Sequence, residues 1–217
     1  MQNLADDPAM RPVLERMRNT LREWQVETRD LGFIHEWQAE KMCADRLPLS
    51  KAAHSEKDYP LERVLDTAER VGRPGQAPEF IRRLSDADPT VRYWAAVGLR
   101  AAGKEGVAGK DALRKALADE SIPVRVEAAG VVVTQFADNE ALEVLTKLLR
   151  GPSYAAATHA ARTLQLLGKK ARPAVPAMQQ ALAANPQTYV HSCLSEGLRT
   201  LGLEADSWKR TGKKKRR

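Results

Sequence analysis

The sequence predicts an all-α fold: a right-handed α-solenoid of short helix pairs, preceded by one long helix. Three features of the chain point there. Nearly the same phrase recurs four times, as "DADPTVRYWAAVGLRAAG", "ADESIPVRVEAAGVV", "HAARTLQLLG" and "CLSEGLRTLG". Its paired positions, Ala95-Ala96, Ala128-Ala129, Ala160-Ala161 and Leu194-Ser195, are 33, 32 and 34 residues apart. A fixed period of this size marks stacked supersecondary units. The composition is 43% hydrophobic but only 5% aromatic, with Ala and Leu supplying most of the apolar side chains, which favours helices over sheets. Finally, each phrase opens on a helix-start signal: Asp88-Pro89, Ser121 with Pro123, Gly151-Pro152 and Asn185-Pro186.

In chain order, Asp7–Asp30 reads as a long helix with Asp7 as its cap and Pro8 in its first turn. Met10, Val13, Leu14, Met17, Leu21 and Trp24 line one face of it. Residues 31–59 read as irregular, with "GFIHEWQAEKM" helical in part. "YPLERVLDTAERVG", from Tyr59 to Gly72, supplies a helix leading into the array. Each repeat phrase then follows a shorter helix: Ala77–Leu84, Lys110–Leu117, Glu140–Leu149 and Ala174–Leu182. After each start the apolar spacing is helical, as at Val91, Trp94, Ala95, Leu99 and Ala102. No such helix can bury its apolar stripe alone, so stacked neighbours must cover it.

The repeats lack the ankyrin "TPLH" turn and the Trp–Leu-Gly–Tyr pattern of tetratricopeptide repeats. They resemble short bacterial HEAT repeats, which place an Asp in the inter-helix turn and an Arg six positions later as a ladder between units. Asp86/Arg92 and Asp119/Arg125 fit that spacing; it decays to Gly151/Ala157 and Asn185/His191. The resemblance assigns this ladder a structural role.

A second resemblance concerns "NLADDPAMRPVLERMRNTLREWQVETRDLGFIHE" (Asn3–Glu36). It is similar to the closing segment of bacterial type I sulfatases of the alkaline-phosphatase-like superfamily. The matching residues are Asn3, Leu4, Ala5, Asp7, Pro8, Leu14, Leu21, Trp24, Thr28, Asp30 and Gly32. In a subset of these enzymes the segment continues into "YPL" and a HEAT array with a "VRYWAAVGL" phrase, as at Tyr59–Leu61 and Val91–Leu99 here. The resemblance spans roughly residues 3–202. It implies the C-terminal part of a sulfatase without its catalytic domain, divided as 1–35 (the closing segment), 36–58 (linker), 59–205 (HEAT-like array) and 206–217 (a basic disordered tail).

One pentapeptide tests that implication. Sulfatases convert the Cys or Ser of a C/S-x-P-x-R motif into formylglycine, and "SIPVR", Ser121–Arg125, satisfies the pattern literally. It aligns with "DPTVR" of the preceding repeat, however, where the same positions serve as cap, first-turn proline and ladder arginine. Val124 replaces the small fourth residue, and no cluster of Asp and Asn stands ready to hold the divalent metal such chemistry needs. The expectation is no catalytic residue, no cofactor and no metal site.

The four histidines, His35, His54, His159 and His191, show no metal-ligand spacing. Trp24, Trp37 and Trp94 read as packing residues, and Trp208 as a cap on the last repeat. Cys43 and Cys193 read as buried, inert thiols.

The formal charge is +7. Lys209, Arg210, Lys213, Lys214, Lys215, Arg216 and Arg217 account for all of it, leaving residues 1–208 neutral. Such a charge block is normally disordered and can hold a polyanion weakly; seven phosphate contacts would give a salt slope of about −6. No apolar stretch approaches the roughly 20 residues of a membrane span. The acidic start "MQNLADDPAM" is no export signal, although full-length relatives are typically periplasmic or secreted.

The expected function is a non-catalytic scaffold whose partner is a protein surface, foremost a sulfatase catalytic domain in cis. The alternative is a free-standing module that binds protein or nucleic acid with help from the tail. HEAT arrays also occur in DNA-base glycosylases and phycobilin lyases, but a neutral body argues against a basic enzymatic groove.

Overall fold

The computed structural model describes residues 3–44, 48–151, 153–184 and 188–203. All regular structure among them is helical. A 3-10 turn at Pro8–Met10 leads into α1 (Arg11–Glu27). Next come α2 (Glu36–Ala44), α3 (Leu49–Ala53) and α4 (Leu61–Ala68). Four short-then-long pairs follow: α5 (Ala77–Arg83) with α6 (Pro89–Ala101), α7 (Lys110–Ala116) with α8 (Ile122–Phe136), α9 (Asn139–Leu148) with α10 (Tyr154–Leu167), and α11 (Val175–Ala184) with α12 (Tyr189–Thr200).

Side-chain caps set several of these starts. Asp88 accepts from the N–H groups of Thr90 and Val91, Asp138 from Glu140 and Ala141, Ser153 from Ala156, and Thr188 from His191. Two sequence expectations shift accordingly. The cap of α10 is Ser153, and that of α12 is Thr188; Pro152, Asn185 and Pro186 lie outside the described residues. Ser121 occupies the cap position of α8 but its hydroxyl caps nothing. Its N–H donates to Asp119 Oδ1 at 2.8 Å, so Asp119 organises that turn.

The long helices form a row, with α4 against α6, α6 against α8, α8 against α10 and α10 against α12. The short helices pack along it, each on its own long partner. One core runs through all four pairs, from Phe80 and Leu99 through Leu113, Val132, Leu145 and Leu164 to Leu194 and Leu198. The small-residue pairs recur where long helices meet: Ala95, Ala96, Ala128, Ala129, Ala160 and Ala161 have no exposed surface. Small side chains there let neighbouring backbones approach closely.

Long-helix C-termini repeat as well. Gly103, Gly168 and Gly202 each take positive φ eight residues after the first member of their pair. At the end of α8, Ala137 adopts the left-handed conformation instead, at φ 53 and ψ 39. A Cβ makes that geometry costly, by about 1 kcal/mol.

The N-terminal region departs from expectation. Residues 36–58, read as a linker with "GFIHEWQAEKM" helical in part, hold α2 largely within that phrase and α3 beyond it, and α2 lies against α8 and α10. Trp37 packs on the main core and Met42 is buried. A second small core joins Tyr59, Leu61, Val64, Leu65 and Val91 to Val26, Leu31, Phe33, Ile34 and Trp94. Polar contacts fix the same junction. Tyr59 donates its hydroxyl to Asp30 O (2.6 Å), while Arg29 reaches Ala53 O, Tyr59 O (3.0 Å) and Glu56 (2.6 Å).

α1 contributes no buried residue. Met10, Val13, Met17, Leu21 and Trp24 all stand exposed, Met17 and Trp24 at 64% and 54%. The expectation that Trp24 packs in a core is therefore wrong. Cys43 is exposed too, correcting its reading as a buried thiol, whereas Cys193 is buried as expected. Trp208 and the seven basic residues from Lys209 to Arg217 lie outside the described residues.

Candidate functional site: a ladder and a covered face

The turn arginines and aspartates meet across units rather than within one. Arg92 forks onto Asp119 of the next turn, Nε to Oδ2 at 2.8 Å and Nη2 to Oδ1 at 2.9 Å. Its Nη1 donates to Asp86 O and Ala87 O, and Nη2 also reaches Glu120 at 3.2 Å. All five N–H groups of the guanidinium therefore find acceptors. The carboxylate of Asp86 faces backward to Arg63 of α4, 3.5 Å away. Arg125 donates to Asp119 O at 3.0 Å, and Gly151 stands in the next turn where an acid would continue the series.

Spacing within one unit thus found the participants but not the direction of pairing, which runs forward from Arg63 to Asp86 and from Arg92 to Asp119 and stops at Arg125. Arg63 was missed because its helix lacks the repeat phrase. A further polar knot gave no sequence signal. Buried Arg83 is held by Asp66, Glu79 (2.6 Å) and Thr67, and its neighbour Arg82 also grips Glu79. Hydrogen bonds from Arg82 and Arg83 outweigh burial and hold the Glu79 carboxyl down to about 2.

The second site lies on the row of long helices. One equivalent position per repeat, just before the small-residue pair, holds Trp94 in α6, Glu127 in α8 and His159 in α10. Residues 31–44 lie over these three. Trp94 Nε1 donates to Phe33 O at 3.0 Å, and the Phe33 and Trp94 rings meet at 5.8 Å. His35 stacks on His159 with centroids 4.5 Å apart and planes 28° apart, and Tyr93 meets both imidazoles edge-on. Glu127, only 3% exposed, accepts from His159 Nε2 at 2.9 Å and pairs with Arg100 at 2.8 Å.

This pocket penalises charge. Burial, with His159 beside it, lowers the His35 imidazole from 6.5 to about 3. Burial and the Glu127 carboxylate push the Tyr93 phenol up to about 12. His35 Nδ1 accepts the N–H of Trp37 at 3.1 Å, which caps the first turn of α2 and places the ring proton of the neutral imidazole on Nε2.

Ser121 sits under the same cover. It is 3% exposed, in a narrow cleft closed by His35, Gln38, Thr90, Tyr93 and Pro123. Arg125, six positions after Asp119, is committed to a turn carbonyl. Elsewhere, His54 follows α3 at the surface, and His191 pairs with Ser195 at 3.4 Å on one face of α12. Among the described residues, no three His, Cys, Asp or Glu side chains converge as a metal-ion ligand set. Nor, among the described residues, is any helix long and apolar enough to cross a membrane.

Compared with known protein families and with curated proteins, the chain matches none.

Proposed function

We propose that this chain is a non-catalytic scaffold: a right-handed α-solenoid of HEAT-like pairs belonging to the C-terminal region of a sulfatase. On this reading α1 is the face turned toward the catalytic domain. The exposed stripe Met10–Val13–Met17–Leu21–Trp24 carries the proposal. An apolar helical stripe of this length is normally buried, and a protein surface is what such a stripe fits.

The inner side of α1 is already used. Arg22 pairs with Glu69 at 2.6 Å, and Val26 packs into the Tyr59 core, so the helix is anchored with its apolar face outward. The phrase Asn3–Gly32, which holds this stripe, is the part that resembles the sulfatase closing segment. The ladder from Arg63 to Asp119 and the regular helix pairs support the solenoid half of the proposal.

The genomic DNA upstream of Met1 tests the origin. A continuous or frameshifted frame encoding C/S-x-P-S/A-R and acidic metal ligands is expected; an unrelated gene there overturns the sulfatase assignment. Incubating the chain with 4-nitrophenyl sulfate tests the absence of catalysis. No turnover is expected, and turnover that disappears in Ser121→Ala overturns that half of the reading.

A further inference from the structure

We propose that residues 31–44 form a proton-released strap, closing the face of α6, α8 and α10 when His35 is neutral and uncovering it when His35 is protonated. The inference does not depend on the sulfatase reading.

Two features of His35 make closure sensitive to one proton. Its Nδ1 is an acceptor for Trp37 N–H, so a proton on that nitrogen turns the first-turn cap of α2 into two opposed donors. Its ring lies flat on His159, which engages Glu127 through Nε2. The one carboxylate of the pocket is directed at His159 and Arg100, and His35 meets it only through the His159 ring.

The groups around His35 come from every packed element: Tyr93 and Arg100 from α6, Glu127 from α8 and His159 from α10. On its own side the charged residues are Glu36 and Glu40, both exposed, and Lys41, whose ammonium lies over the Trp37 ring. Apart from Glu127, which is already committed, none of the groups on α6, α8 and α10 supplies negative charge for a new imidazolium.

The start of the strap is held separately, by Leu31, Phe33 and Ile34 in the second core and by the Trp94–Phe33 hydrogen bond, while residues 35–44 are held by Trp37, Met42 and the two His35 contacts. Losing the cap and the stack therefore removes a large share of the contacts of residues 35–44, with residues 31–34 left as the hinge. Release would expose Tyr93, Trp94 and Glu127, an aromatic and acidic face, and would open the cleft around Ser121.

The sign follows from linkage. The closed form holds His35 near 3, and a solvated His titrates at 6.5, so only the open form binds the proton between those values. The contribution of neutral His35 to closure is fully present above pH 6.5 and is lost as pH falls from 6.5 toward 3. The open-to-closed ratio should rise about tenfold per pH unit below 6.5, reaching about a hundredfold at pH 4.5.

Hydrogen exchange of the full chain at pH 7.5, 5.5 and 4.5, corrected for the intrinsic pH dependence, reads this directly. Peptides from 31–44 should lose protection with acid while those from α12 keep theirs. His35→Asn retains a cap acceptor and cannot titrate; His35→Phe retains a stacking ring and cannot titrate. At least one should keep the strap protected at pH 7.5, and its protection should be flat with pH. Acid-independent protection in the native chain overturns the proposal. So does acid loosening that persists undiminished in both variants, which would place the proton elsewhere, or an NMR midpoint for His35 at the solvated value.

Discussion

α1 and α8 are helices of similar length, 17 and 15 residues, with opposite fates. α8 buries eleven residues, from Ile122 to Val133, while α1 buries none. α8 is apolar nearly all round because it meets α6 and α10 along the row and α7 and α9 beside it. α1 has a clean stripe, but that stripe faces away from the chain. Amphipathicity reports that a helix has something to cover; only its neighbours determine whether it is covered. The pair separates what stabilises the array from what is available to a partner.

The sharpest way to break that distinction is the same substitution in both stripes. Val132 has no exposed surface, so Val132→Asp places a carboxylate among apolar side chains with no partner. The cost should exceed about 4 kcal/mol, enough to abolish cooperative unfolding in urea. A folded Val132→Asp protein with an ordinary melting curve would show that the row is not a single tight core.

The ladder sharpens the comparison along the array itself. Arg92→Ala strands Asp119, whose side chain is 11% exposed, and should cost about 3 kcal/mol. Arg125→Ala removes a bond to a backbone carbonyl at a position where Gly151 offers no acid, and should cost about 1 kcal/mol. Denaturant midpoints measure both. Equal losses would mean that the two arginines hold their units alike.

The all-helical fold was legible in the sequence because the period and the small-residue pairs are local and recur. Of the four starts read there, Asp88 is a side-chain cap, while Ser121 caps nothing and Ser153 and Thr188 cap α10 and α12. The Asp-to-Arg spacing was equally visible, yet the pairing of Arg92 with Asp119 was not, since a six-residue interval says nothing about which turn the side chain bridges. Nor was the strap. α2 is short and weakly amphipathic, and His35 gains its meaning from His159, more than a hundred residues away. The shared repeat position of Trp94, Glu127 and His159 was the one available signal: three non-aliphatic residues at a register where a plain core would place aliphatic ones.

A smaller effect is expected at the end of α8. Ala137 holds a left-handed conformation at φ 53, where the other three long helices are followed by a glycine at positive φ. Ala137→Gly should therefore stabilise the protein by about 0.5–1 kcal/mol, against the usual cost of added chain entropy. A lower thermal midpoint would mean that the Ala137 methyl supplies packing that outweighs its backbone strain.

The smallest effect on stability, and the most informative about function, belongs to α1. Met17 is largely exposed, so Met17→Asp removes almost no buried contact and should change unfolding free energy by less than about 0.5 kcal/mol. The same change places a charge in the middle of the outward stripe, so any association through that face should weaken severalfold or more. Sedimentation of the chain alone and with a sulfatase catalytic domain compares native and variant proteins. A variant that stays folded and loses association assigns the stripe to a partner. One that melts several degrees lower would mean that α1 folds back onto its own array, and the contrast with α8 would vanish.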